Sequence, residues 1–370
     1  QADAITIRMA CIPFRHLRSL HLHRLPHDHR PLLMRVRGWA SHRAWHGRLA
    51  ATLLAFLAPL ATAAQALWLD DQGRPNAAAR EVVQWLVQAE RDGLRPADYG
   101  AAGWARALED TSLHTAATAT RWDDLLTQTV TQYLHDLRHG RIEAARLGAR
   151  YDSHSAPAPD LALLLRDSAR HGQPGAARHA AVPPWPQYPL LVEALAQYRQ
   201  LAGHAAWAQA LPALPGRTLR PGQQWSGLPI LAARLRALGD LPAELSDIPE
   251  TYDVMLQDSV RAFQSRHGLE PDGMIGRATL DALTVPPAAR VRQLELALER
   301  LRLTPLPAAA RFITINVPEF MLRAWEHEGD ETRERFAMRV IVGKALSTRT
   351  PLFDENMLWI EFSPYWNIPR

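Results

Sequence analysis

At Arg311 the spacing of apolar residues changes, and the change limits what the chain can fold into. Before that point apolar side chains recur every three or four residues, the period of a helix with one buried face. After it they recur every second residue, the period of a strand. Ile313, Ile315 and Val317 alternate with Phe312, Thr314 and Asn316. Neither a lone helix bundle nor a lone sandwich accommodates both patterns. The expected fold class is multidomain α+β, with helices packed on helices and a separate sheet.

The helical part divides in two. Residues 67–222 carry four apolar stripes: Val82, Trp85, Leu86 and Ala89; then Trp122, Leu125, Leu126, Val130, Tyr133 and Leu137; then Leu161 to Leu165; then Leu190, Leu191, Leu195 and Tyr198. Gly93, Pro96 and Gly140 stop helices, and Pro183-Pro184-Trp185-Pro186 is a stiff connector. A helical scaffold is expected there. Residues 228–284 carry three shorter stripes, on Leu231, Leu235 and Leu238, on Leu256, Val260 and Phe263, and on Leu280 and Leu283, with a turn at Asp272-Gly273. They predict a small three-helix module. Residues 285–310, with Val291, Leu294, Leu298 and Leu301 on one face, predict a linking helix.

Beyond Arg311, Met321 to Trp325 reads as a second strand and Glu328-Gly329-Asp330 as a turn. Met338, Val340 and Val342 predict a third strand; Leu358, Ile360 and Phe362 predict a fourth. The sheet of residues 311–370 is expected to be incomplete at Arg370, with an unpaired edge and half a core.

The chain holds 42 basic and 38 acidic residues, a formal charge of +4. Residues 1–66 contain nine of the arginines and only Asp3 and Asp28 as acids, leaving 33 basic and 36 acidic residues in 67–370. The remainder is therefore mildly acidic, which argues against a nucleic-acid partner. Within 1–66, Arg35, Arg37, Arg43 and Arg48 precede the apolar run Leu49 to Leu60, and Ala64-Gln65-Ala66 follows. Charge, a short apolar run and a small-x-small site read in that order as an export signal starting at Met34, with an uncleaved anchor as the alternative. No tight membrane span is expected after cleavage. Residues 1–33 show no apolar periodicity and are not expected to form a folded element. The single cysteine, Cys11, precedes the signal, so residues 67–370 contain none and no disulfide is expected there.

Three stretches resemble one family. Gln88 to Tyr99, Tyr133 to Ile142 and Pro186 to Leu191 resemble the scaffold domain of large periplasmic L,D-transpeptidases. Val260-Arg-Ala-Phe-Gln-Ser-Arg-His-Gly-Leu-Glu-Pro-Asp-Gly-Met-Ile-Gly276 resembles a peptidoglycan-binding module, and 311–370 resemble the start of the catalytic domain, with Arg339 to Lys344, Thr350-Pro351 and Ser363 to Pro369 as its marks. The resemblance implies a periplasmic enzyme whose cysteine thiolate takes the acyl group of a tetrapeptide stem, forming 3→3 crosslinks. The resemblance places the family's His-Gly and Ser-x-Gly-Cys segments downstream of Trp-Asn-x-Pro, and neither occurs there, so no catalytic residue is assigned, and the cysteine and histidine are expected beyond Arg370. The expected partners are peptidoglycan stem peptides and glycan, with no cofactor and no metal.

Tyr365 and Trp366 are candidates for lining the substrate cleft, with core packing as the plainer reading of Trp366. In the module, Gln264, Arg266, His267 and Asp272 are the candidates for contact with peptidoglycan, with turn chemistry the plainer reading of Asp272. His135 and His139 have the spacing of a metal pair on a helix, but no third ligand accompanies them. The alternative function is a non-catalytic, peptidoglycan-binding scaffold protein of the envelope.

Overall fold

A computed structural model describes residues 5–10, 66–109, 116–142, 149–150, 159–242, 250–329, 331–344 and 347–362. The expected export signal, from Met34 to the Ala64-Gln65-Ala66 site, lies outside the described residues up to its last residue. Among the described residues no helix is long and apolar enough to cross a membrane. The fold is a mixed α+β assembly, as the two apolar periods require.

The scaffold is built from α1 (Ala77–Val87), α2 (Ala101–Glu109), α3 (Ala116–His139), α4 (Leu161–Arg170), α5 (Gly175–Ala181) and α6 (Gln187–Gln200). Local chemistry sets their starts. The Asn76 side chain accepts from the Ala79 amide at the head of α1, and Asp160 accepts from Ala162 and Leu163 at the head of α4. The apolar stripes face inward. Val82, Leu86, Leu126, Val130, Tyr133, Leu137, Leu191 and Leu195 share one core. Leu125 and Leu163, which share the expected stripes, are exposed.

The module comprises α7 (Leu228–Ala237), α8 (Val254–Arg266) and α9 (Arg277–Thr284) around a second core of Leu231, Leu235, Leu256, Val260, Phe263 and Leu283. The three helices fall where the stripes place them. The helix expected as a link, α10 (Pro287–Arg302), has a larger part. Its Leu294, Leu298 and Leu301 are buried in the scaffold core, and it packs along α6. The module is thus an insertion between two helices of one core. At Gly93, φ is +71°, and an added Cβ would sit 3.1 Å from Leu298 Cδ1. That close approach lets α10 seat against the turn after α1.

Polar groups fix the same contact. The Arg302 side chain has 0% exposure. It donates to the carbonyls of Leu137 (3.2 Å) and Asp92 and to Tyr188 Oη (3.0 Å). Asp92 in turn accepts from Tyr133 Oη (3.0 Å) and Arg178 Nη2 (2.8 Å). Burial raises the Tyr133 and Tyr188 phenols, the latter to about 12, so both stay neutral donors. Arg302 also pairs with Glu299 (3.5 Å), so two guanidiniums, two carboxylates and two phenols satisfy one another, the condition for keeping charge inside a core.

The sheet runs β2 (Ala149–Arg150), β6 (Leu352–Met357), β1 (Ile5–Ala10), β3 (Arg311–Asn316), β4 (Met321–Glu328), β5 (Glu331–Arg339) in spatial order. Three expectations are corrected. Residues 1–33 do supply a folded element: β1 pairs parallel to β3 and antiparallel to β6. Its Ile5-Thr6-Ile7-Arg8-Met9-Ala10 sequence alternates at strand period inside a strongly basic segment, and its partners lie some three hundred residues away. The third strand lies earlier than expected, ending at Arg339, because its ladder with β4 ends at the Met321–Arg339 pair. The fourth is Leu352–Met357, and the apolar run 358–362 carries no strand, since pairing with β1 stops at Met357.

Candidate functional site

The module is closed by two polar devices. Arg234, buried and over the Trp207 ring, donates to the carbonyls of Ala206 (3.1 Å), Gln209 (2.6 Å) and Leu283 (2.8 Å). Those carbonyls lie on the chain entering the module and on the helix leaving it, so one side chain ties both connections. The second device is Gln264, which is 1% exposed. Its amide donates to Asp272 Oδ1 (3.0 Å), the Met274 carbonyl (2.9 Å) and Thr279 Oγ1 (3.1 Å), and accepts from the Gly273 amide (2.8 Å). Gly273 has φ +71°, and a Cβ there would meet Gln257 Cγ at 2.5 Å. Tyr252 Oη donates to the Gly273 carbonyl (2.6 Å) from below.

The four candidate residues of the module therefore face three ways. Gln264 is internal, and all its polar capacity holds the turn in shape. Arg266 forms an ion pair with Asp240, whose carboxyl is pushed up to about 6 by burial, with Arg266 opposing that rise. His267 stacks on Phe263 with ring centroids 3.9 Å apart, and its Nε2 lies 3.4 Å from Tyr198 Oη on α6. It faces the scaffold. Asp272 alone of the four is exposed, with Oδ1 accepting from the Met274 amide (2.8 Å).

Beside Asp272, one face of α8 is open. Val254, Asp258 and Arg261 recur one turn apart on it and are exposed, and Gly273 packs against Gln257 and Arg261. Arg261 Nη1 donates to Asp258 Oδ1 (2.8 Å) at the surface. The face thus offers an apolar step, a guanidinium and two carboxylates around a glycine turn whose shape is fixed from inside. Sequence reading passed over Arg261 and Val254; their signal was the helical spacing back from the Asp-Gly turn.

On the sheet, Phe312 stacks on Trp325 (6.2 Å, 15°) and meets Trp185 of the scaffold edge-on (6.3 Å, 80°). Trp185 Nε1 donates to the Thr304 carbonyl (2.5 Å), fixing the ring against the end of α10. The loop after β5 is closed by two threonines, with the Gly343 amide donating to Thr350 Oγ1 (2.7 Å) and the Lys344 amide to Thr348 Oγ1 (3.2 Å). Tyr365, Trp366 and Cys11 lie outside the described residues. The His135 and His139 rings are 4.9 Å apart, and burial, then His135 and Arg138, push His139 down. Among the described residues no group of three or more His, Cys, Asp or Glu is placed to hold a metal ion.

A helical scaffold carrying an inserted three-helix module defines a modular class of protein. Two family comparisons agree with that architecture. Residues 61–195 match the scaffold domain family, and residues 227–283 match the peptidoglycan binding domain family. No curated protein matches the chain.

Proposed function

We propose that the chain is a periplasmic peptidoglycan-binding protein whose sheet unit belongs to an L,D-transpeptidase. The observation that carries the reading is the matched peptidoglycan-binding module, residues 227–283, inserted into a scaffold on which a sheet is also seated. The open face of α8 is the contact surface. Arg261 suits the carboxylates of stem peptides, Asp258 and Asp272 suit their ammonium groups, and Val254 suits the apolar face of a sugar ring. In this reading Gln264 shapes the surface without touching the ligand, Arg266 ties α8 to Asp240 within the module, and His267 faces the scaffold.

The reaction of the proposed enzyme is acyl transfer. A thiolate attacks the amide between the L-centre of a diaminopimelate and the terminal D-alanine. D-Alanine leaves with a proton, and the thioester then passes its acyl group to the side-chain amine of a second stem. Residues 67–370 contain no cysteine and so supply no thiolate for either step. A second reading, a wall-binding scaffold without chemistry of its own, rests on the matched module alone.

Sedimentation with purified sacculi tests wall binding. The chain is expected in the pellet, with Arg261→Ala and Asp272→Asn each weakening recovery severalfold; full recovery of the unaltered chain in the supernatant would refute the reading. The reading frame downstream of codon 370 separates the two alternatives. A Ser-x-Gly-Cys segment there supports the transpeptidase, and its absence leaves the scaffold.

A further inference from the structure

The scaffold core begins within one residue of Ala66. Ala66 is exposed, and the next three residues are buried: Leu67 at 9%, Trp68 at 0% and Leu69 at 8%. Polar contacts fasten this segment. The Asn76 side chain donates to the Leu67 carbonyl (3.1 Å), the Asn76 amide to the Trp68 carbonyl (2.9 Å), and the Trp68 indole to Thr127 Oγ1 (2.8 Å). The Trp68 amide donates to Asp123 Oδ1 on α3 (2.7 Å), and the Leu67 amide is a second backbone donor to the same carboxylate. Burial pushes Asp123 up, the two amides oppose the rise, and the charge of Asp124 adds to it. Among the described residues no guanidinium or ammonium is paired with Asp123. Its two backbone partners are the first residues after Ala64-Gln65-Ala66, the small-x-small site of the expected export signal.

We propose that Asp123 is the receptor for the amino-terminal ammonium that leader cleavage creates at Leu67. The inference rests on the export reading. Hydrolysis of the Ala66–Leu67 bond by a leader peptidase places the hydroxyl of water on the Ala66 carbonyl carbon, and the C–N bond breaks. The Leu67 nitrogen takes the other proton of water and the proton that the new carboxylic acid releases. A donor with one N–H becomes an ammonium with three. Held where the amide now sits, it meets the carboxylate as a charge-assisted partner and offsets the cost of keeping Asp123 charged without a cation. Pairing raises the pKa of the amine and lowers that of the carboxyl. The exported chain is thus clasped over α3 by an ion pair that the uncut precursor lacks. Wall binding by the module plays no part in this contact.

The test uses the full chain exported with its own leader. Mass spectrometry of the purified protein should read Leu67 as its first residue. Another first residue overturns the proposal, and an uncut leader overturns it together with the export reading. Lys344 is the only lysine, so the processed chain has two amines, the Leu67 nitrogen and Lys344 Nζ. Labelling with an acetylating reagent from about pH 6 to about pH 10 should show the Leu67 amine titrating about one unit or more above its ordinary range of about 7.7–8.0. Near pH 7 it should react about tenfold more slowly than in Asp123→Asn, which keeps an acceptor for the two amides and removes the charge. Lys344, which is exposed, should label alike in both proteins. A second measurement covers an Asp123→Asn chain that fails to fold. The melting temperature of the unaltered processed chain should fall as pH rises through the raised value of the amine, and the acetylated chain should lack that fall. Equal labelling of Leu67 in the two proteins, or an equal fall after acetylation, would overturn the proposal and leave export intact.

Discussion

His267 shows how a single contact sets the response of the module to acid. Its Nδ1 lies 2.9 Å from the Phe263 carbonyl, its ring is stacked on Phe263, and Tyr198 sits beyond Nε2. Burial pushes the imidazole down to about 3, with the positive charges of Arg266 and Arg290 adding to the shift. Between about pH 3 and 6.5 the unfolded chain binds a proton that the native ring refuses, so stability rises with pH across that window. Asp240 acts the other way. Its carboxyl is raised to about 6, so its contribution is full below the ordinary carboxylate range and is lost as pH rises through 6. The two slopes oppose each other, so the total profile is shallow and the variant isolates the term. Compared with His267→Phe, the unaltered chain should gain about 3 kcal/mol between pH 4 and 6.5, read from urea midpoints. A difference that stays constant over that range would show that the ring takes up its proton in the native state as it does in the unfolded chain.

Among the elements, helices were legible in the sequence and strand limits were not. A helix makes its hydrogen bonds within itself, so periodicity and caps such as Asn76, Asp160 and Asp253 locate it. A strand ends where its partner ends. The run 358–362 has strand composition but no partner, and β1 has partners in a segment whose composition pointed elsewhere. The module candidates show a comparable limit: Gln264 is internal and Asp272 exposed, both belong to the turn motif, and sequence spacing does not say which faces inward. The sheet also carries a liability that alternation did forecast. Among the described residues β5 is an edge strand, and its Phe336 and Met338 are exposed, as are Ile341 and the run Leu358 to Ile360. Unpaired edge backbone beside exposed apolar side chains favours pairing between copies. Replacing Phe336 by Thr and Met338 by Lys should suppress concentration-dependent light scattering while leaving the melting temperature within about 2 °C. Equal scattering would place the sticky surface elsewhere.

For the whole molecule, the order of segments along the chain differs from the order in which the core closes. The matched scaffold region ends at residue 195, yet the core it begins is completed by α10, whose first residue is Pro287. Leaving α10 out takes Leu294, Leu298 and Leu301 from the core and uncovers the face of α6 against which α10 packs. It also removes Arg302 and leaves the Asp92 and Leu137 carbonyls without their charged donor. Losing one partner of a buried polar network costs about 3–5 kcal/mol, and each buried leucine lost from a core about 2–5. Together these approach the entire stability of a domain, about 5–15 kcal/mol. A chain of residues 66–200 should therefore keep helical circular dichroism but bind a hydrophobic dye and lose cooperative unfolding. Adding a peptide of residues 286–304 should restore a sharp transition. If residues 66–200 melt as sharply alone as with that peptide, the insertion architecture has no role in folding and α10 is a link after all.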